Sequence, residues 1–144
     1  MHLQHLKTIN NLNEIAQSSL TVGPCSYGIL DITSENIKYS TQSLDTGKGD
    51  SINYFKNVAY QKTYNHLIAE GVETDMARMM AEFFAEINYA YFTGNLNSID
   101  INYYLEGINN WKAYNQDSLT YYYLESLEKE LNTNMNYLII PLKK

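Results

Sequence analysis

The sequence predicts an α+β domain, mostly helical. Three observations predict it: amphipathic helical patterns through the middle of the chain, a cluster of β-branched and aromatic residues near residue 30, and a second such cluster near the C-terminus. Residues 3–18 read as an N-terminal helix, because Leu3, Leu6, Ile9, Leu12 and Ile15 recur every three positions and Ser18, Ser19, Gly23 and Pro24 punctuate the end. One β-hairpin is expected between Cys25 and Gln42, with strands 27–33 and 37–41 joined through Ser34-Glu35-Asn36. A two-stranded hairpin is marginal in water. A short C-terminal strand, 137–141, is the candidate third member, and Pro141 confines it to an edge or ends it there.

Four helices are expected between these β segments. Gln42 to Gly49 forms a loop, and Asp50 or Ser51 caps a helix that runs to about Glu70, contributes Ile52, Phe55, Val58, Ala59, Leu67 and Ile68, and ends at Gly71. Thr74 caps the next, with Asp75 in its first turn where the helix dipole favours an acid. Its apolar stripe is Met76, Met79, Met80, Phe83, Phe84, Ile87 and Tyr91, with Asp75, Arg78, Glu82, Glu86 and Tyr89 opposite and Gly94 at the end. Ser98 caps a third helix carrying Ile101, Tyr104, Leu105, Ile108 and Trp111. Asp117 or Ser118 caps a fourth, with Tyr123, Leu124, Leu127 and Leu131 inward.

A length of 144 residues suits one domain covering 1–144. Fourteen Tyr, four Phe and one Trp argue against disorder. The single cysteine, Cys25, excludes an intramolecular disulfide. The polar start lacks the apolar core of a secretory signal, and no apolar run reaches membrane-spanning length, so a cytoplasmic protein without a membrane partner is expected.

The net charge of −6 is unevenly placed. Between Thr63 and Trp111 stand Glu70, Glu73, Asp75, Glu82, Glu86, Asp100 and Glu106 against Arg78 alone, which accounts for the whole surplus. Direct binding to nucleic acid is disfavoured because phosphate contacts need a basic footprint. A basic protein partner is favoured, and a homodimer is left open.

Chemistry-bearing residues are sparse. Cys25 is the one thiol nucleophile, and activating it would take His2, His5 or His66, none of which the spacing singles out. His66 and Glu70 stand at i, i+4 but lack the further ligands of a metal site. Gly47-Lys48-Gly49 lacks the spacing and hydroxyl of a phosphate loop. No catalytic residue, metal or cofactor is therefore expected. The tyrosines are the least ordinary feature: in Tyr103-Tyr104 and Tyr121-Tyr122-Tyr123, neighbours cannot share a helix face, so some point outward. Tyr103, Glu106, Asn110 and Tyr114 would form an aromatic–acidic strip on the side away from Ile101, Leu105 and Ile108.

The segment Leu6–Ile68 resembles the first half of a PAS sensor domain, in its leading helix, the hairpin Gly28-Ile-Leu-Asp-Ile-Thr-Ser-Glu-Asn-Ile-Lys-Tyr39 and the helical stretch ending near Leu67-Ile68. It covers under half the chain. A PAS domain continues with three long antiparallel strands, whereas 74–132 reads as helices. The resemblance implies a small-molecule or signal-sensing pocket, for which Met76, Met80, Phe83, Phe84, Tyr104 and Trp111 are the apolar candidates.

The leading expectation is a non-enzymatic interaction protein, such as an immunity protein, an anti-defence inhibitor or a small regulator. It would bind a basic protein through an acidic, Tyr-rich helical face carrying Glu82, Glu86, Asp100, Tyr103, Glu106 and Tyr114.

Overall fold

A computed structural model describes residues 4–17, 25–44 and 51–142. The order of elements is β1 (His5–Ile9), β2 (Leu12–Ala16), β3 (Ser26–Ile32), β4 (Asn36–Ser43), α1 (Ser51–Ala69), α2 (Thr74–Phe92), α3 (Ile101–Asn115), α4 (Leu119–Ser126) and β5 (Tyr137–Pro141), with short 3₁₀ turns at Leu96–Ser98 and Glu128–Glu130. The α+β class and the four helices are as the sequence predicts.

The N-terminal helix is not. His5–Ile9 and Leu12–Ala16 pair antiparallel in register Ile9↔Leu12, Leu6↔Ile15 and His5↔Ala16. The two-residue loop is Asn10-Asn11, both at positive φ (49° and 65°), the conformation that matches the twist of a tight hairpin. A three-residue apolar period drifts around a helix and buries no single face. Paired as strands, Leu6 and Ile15 share a half-buried face, and the Thr8 hydroxyl donates to Asn13 at 2.8 Å across the turn. The PAS resemblance thereby loses its leading helix, and α2 to α4 stand where three strands would follow.

The second hairpin forms as expected and extends to Ser43. The Thr33 hydroxyl accepts the amides of Glu35 and Asn36, which tightens its turn. β5 adds to β4, giving the antiparallel order β3-β4-β5 with β5 at an edge and Pro141 as its last residue. The expected breaks at Ser18, Ser19, Gly23 and Pro24, the loop beyond Leu44 and a cap at Asp50 lie outside the described residues, as do Leu3 and His2.

The core is helical. Leu67, Ala77, Met80, Phe83, Ile87, Leu96, Tyr104, Trp111, Leu124, Leu127 and Leu131 form one buried cluster, against which Met76, Phe84 and Tyr91 pack partly buried. Met79 departs from the expected stripe and is exposed, because Ala77, Ala81 and Ala85 bring the buried face of α2 round toward its neighbours. On α3 the inward residues are Tyr104, Gly107 and Trp111, and Ile101 and Leu105 are exposed. The polar atoms of the two largest buried side chains are paired: the Tyr104 hydroxyl donates to the Leu124 carbonyl, and the Trp111 indole N–H to the Met80 carbonyl at 3.3 Å.

The caps shift by one or two positions from expectation. Glu73, not Thr74, caps α2, its carboxylate accepting the amides of Asp75 and Met76. Asp100, not Ser98, caps α3, while Ser98 closes the preceding 3₁₀ turn. Ser118 caps α4 as expected, but the last helix stops at Ser126 rather than near Asn132. Gly71 and Gly94 follow α1 and α2 at positive φ (86° and 72°), as helix-ending glycines do.

Sheets and helices meet at a polar joint. The buried Gln4 side chain donates to the Tyr39 hydroxyl (2.8 Å) and to the Met135 carbonyl (2.7 Å), and its backbone N–H donates to the Phe92 carbonyl. Asn136, just before β5, donates to the Thr93 carbonyl and to the Asn95 side chain.

Candidate functional site

Four of the six residues expected to form a binding face converge on the α2–α3 cleft. Tyr103 lies over the Phe83 ring, edge-on with centroids 5.5 Å apart. Glu82 and Glu86, one turn apart on α2, and Glu106, one turn on from Tyr103, line the depressions that Tyr103 also lines. Burial raises the Tyr103 pKa first, and the charges of Glu86, Glu82 and Glu106 raise it further. A neutral phenol thus sits in a negative field.

Two depressions share this centre. One, of about 500 Å³, is lined by Lys56, Asn57, Tyr60, Glu82, Glu86 and Tyr103. The other is a narrower slot of about 160 Å³ bounded by Met79, Glu82, Phe83, Tyr103, Glu106 and Asn110, with Gly107 in its wall. The pairing of Glu82 with Glu86 and of Tyr103 with Glu106 is legible from helical spacing. Their approach across two helices is not.

Lys56 is the residue that sequence reasoning missed. It lies outside the acidic window in the chain, yet α1 packs on α2 and places its ammonium 2.5 Å from the Glu86 carboxylate and 4.8 Å from the centroid of the Tyr89 ring. Glu86 is thereby compensated. Among the described residues, Glu82 and Glu106 have no basic partner, and Arg78 pairs with Asp75 at 3.1 Å. The uncompensated charge is concentrated on the α3 side of the cleft.

The other two expected residues stand apart. Asp100 is spent on capping, one of its oxygens accepting the amides of Asn102 and Tyr103 at 2.9 and 3.0 Å. It fixes the start of the helix that carries Tyr103 and Glu106. Tyr114, three turns along α3 and exposed, lines a different depression with Glu70, Lys112, Asn115 and Asp117.

The remaining chemical candidates are separate. Cys25 is buried at positive φ (57°). His66 pairs with Glu70 at 3.2 Å, and Glu70 also accepts from Asn115. Among the described residues no three His, Cys, Asp or Glu side chains gather as a metal site, and no helix is long and apolar enough to cross a membrane. Of the apolar residues proposed to line a ligand pocket, Met80, Phe83, Tyr104 and Trp111 are packed in the core, and Phe84 alone reaches a groove of about 560 Å³ lined by Tyr54, Phe55, Val58, Ala59 and Lys62 of α1. Compared with known proteins, the chain matches no family model, no curated sequence and no solved structure.

Proposed function

We propose that this protein is a non-enzymatic interaction module that captures a basic protein partner at the Tyr103 cleft, as an inhibitor, immunity protein or small regulator would. The observation that carries the proposal is the convergence of Glu82, Glu86 and Glu106 on Tyr103 from two helices. Carboxylates on rigid helices steer a cationic surface toward the cleft and fix its register. An aromatic side chain at their centre offers apolar contact, cation–π attraction and a hydroxyl at low entropic cost. Lys56 neutralises Glu86 in the free protein, so a partner's cations engage Glu82 and Glu106 first.

The test is affinity capture from the native host at low and high salt, with the wild type and with Glu82→Lys/Glu106→Lys. A basic protein retained at low salt, released at high salt and lost by the variant supports the proposal. A partner held equally by both proteins at both salt concentrations overturns it.

The second reading is a small-molecule sensor. What favours it is the α1–α2 groove, whose volume falls within the range of ligand sites and whose walls are largely apolar. Native mass spectrometry separates the two: a co-purifying ligand supports the sensor, and a bare mass counts against it.

A further inference from the structure

We propose that the α1–α2 groove takes a free amphiphile with a medium-length apolar chain and a carboxylate head, whose anion Lys62 holds; this rests on the small-molecule reading of the groove and names its ligand. α1 is the cationic helix of an acidic chain. It carries Lys56, Lys62 and His66 and no Asp or Glu, while the chain as a whole is −6. Two of the three are answered within the molecule, Lys56 by Glu86 and His66 by Glu70. Lys62 is exposed and has no acidic partner among the described residues. Its neighbours one turn away on α1 are Val58, Ala59, Asn65 and His66, none of them acidic. Lys62 lines the groove of about 560 Å³, and no carboxylate among the described residues lines it.

The groove is graded along the helix. Phe55, Val58 and Ala59 line one stretch of it, and Lys62, Thr63 and His66 the next. At about 1.5 Å of rise per residue, Lys62 stands about 10 Å along the axis from Phe55, a separation that suits the tail and head of a medium-length chain. The opposite wall is fixed: the Phe84 ring stands against Trp111 and Tyr123, with centroids 6.4 and 6.3 Å away. Asn88, one turn on from Phe84, accepts the Tyr123 hydroxyl at 3.0 Å, so its N–H groups are what remain for a ligand. Lys62 and Asn88 therefore offer donors, which a carboxylate accepts. The tail gains by leaving water for the apolar stretch. Charge also selects a molecule in solution over a lipid in a bilayer, because an anionic membrane surface repels a chain of net charge −6.

Calorimetric titration of the full chain, first stripped of bound lipid on a hydrophobic resin, tests this with octanoate, octanol and octyltrimethylammonium. Octanoate is expected to bind, octanol about fivefold or more weakly, and the cation weakest of the three. From hexanoate to decanoate the affinity rises with each added CH₂ by up to about fourfold, the value for complete burial. Lys62→Ala replaces an exposed side chain, so the fold is kept; it lowers octanoate affinity to that of octanol and leaves octanol unchanged, whereas Lys62→Arg retains octanoate. Ala59→Leu, which fills the apolar stretch, weakens both ligands. If octanol matches octanoate and Lys62→Ala changes neither, the inference is overturned while the small-molecule reading stands. Absence of octanoate binding also overturns it, and native mass spectrometry then decides that reading separately: a co-purifying ligand of other chemistry preserves it, and a bare mass removes both. Octanoate binding that Ala59→Leu does not weaken, or retention on phosphatidylglycerol vesicles without octanoate binding, equally overturns the inference.

Discussion

The side-chain amide of Gln4 donates to the Tyr39 hydroxyl at 2.8 Å, a contact between residues 35 apart that joins the first hairpin to the second sheet. Both are buried. The same amide reaches the Met135 carbonyl, and the same phenol donates to Gln17 at 2.7 Å. The polar joint is therefore continuous from β1 to the strand that closes the chain. Burial raises the Tyr39 pKa, and the Gln4 hydrogen bond offsets part of that shift.

Gln4→Ala leaves the Tyr39 hydroxyl and the Met135 carbonyl without this donor. The expected cost is about 1–3 kcal/mol, the penalty of unsatisfied buried polar groups. Urea denaturation checks it, and an unchanged midpoint would show that water replaces the side chain.

Gly107→Ala on α3 sets two effects against each other. Alanine in a helix interior gains about 1 kcal/mol over glycine. Here the added methyl would stand 2.2 Å from the Phe83 ring, and overpacking of this kind costs about 1–3 kcal/mol. Net destabilisation is expected, with recovery in Gly107→Ala/Phe83→Leu. A rise in melting temperature for the single variant would reverse the order of the two effects.

Lys56→Ala removes the partner of Glu86. Both side chains are partly exposed, so stability falls by no more than about 1 kcal/mol. Capture of a basic partner is expected to strengthen, because Glu86 then joins Glu82 and Glu106 in the field around Tyr103. Measured affinities of the two proteins at low salt decide it, and weaker binding by the variant would assign Lys56 a direct contact.

Alkaline pH should unfold the protein through its buried phenols. Burial, then the nearby charge of Glu86 and Cys25, pushes the Tyr89 pKa up to about 12. Burial leads the upward shifts of Tyr104 and Tyr123 as well. A folded pKa above the unfolded value of 10.0 means the native state holds its proton longer. This stabilisation is complete below pH 10 and declines as pH rises through about 12. Melting temperature against pH, with tyrosinate absorbance followed in parallel, should show a flat neutral region and a late-ionising fraction of the fourteen tyrosines. Complete ionisation at pH 10 with the fold intact would contradict it.

The sequence by itself determined the helical middle of the chain, the second hairpin and the place of the acidic surplus. These follow from local physics: amphipathic spacing, β-branched runs and capping side chains act within a few residues of one another. The outward aim of some tyrosines was legible on the same ground, since neighbours on a helix diverge, and Tyr122 is exposed beside the buried Tyr121. Tertiary structure alone decided three matters. Residues 5–16 become a hairpin because Leu6 and Ile15 share one half-buried face only as paired strands. Glu82 and Glu106 meet at Tyr103 because α2 and α3 pack through Phe83, and Lys56 reaches Glu86 because α1 lies along α2. Tyr114 leaves the cleft because a helix rises about 1.5 Å per residue, which carries it well away from Tyr103 along the α3 axis whatever face the two share.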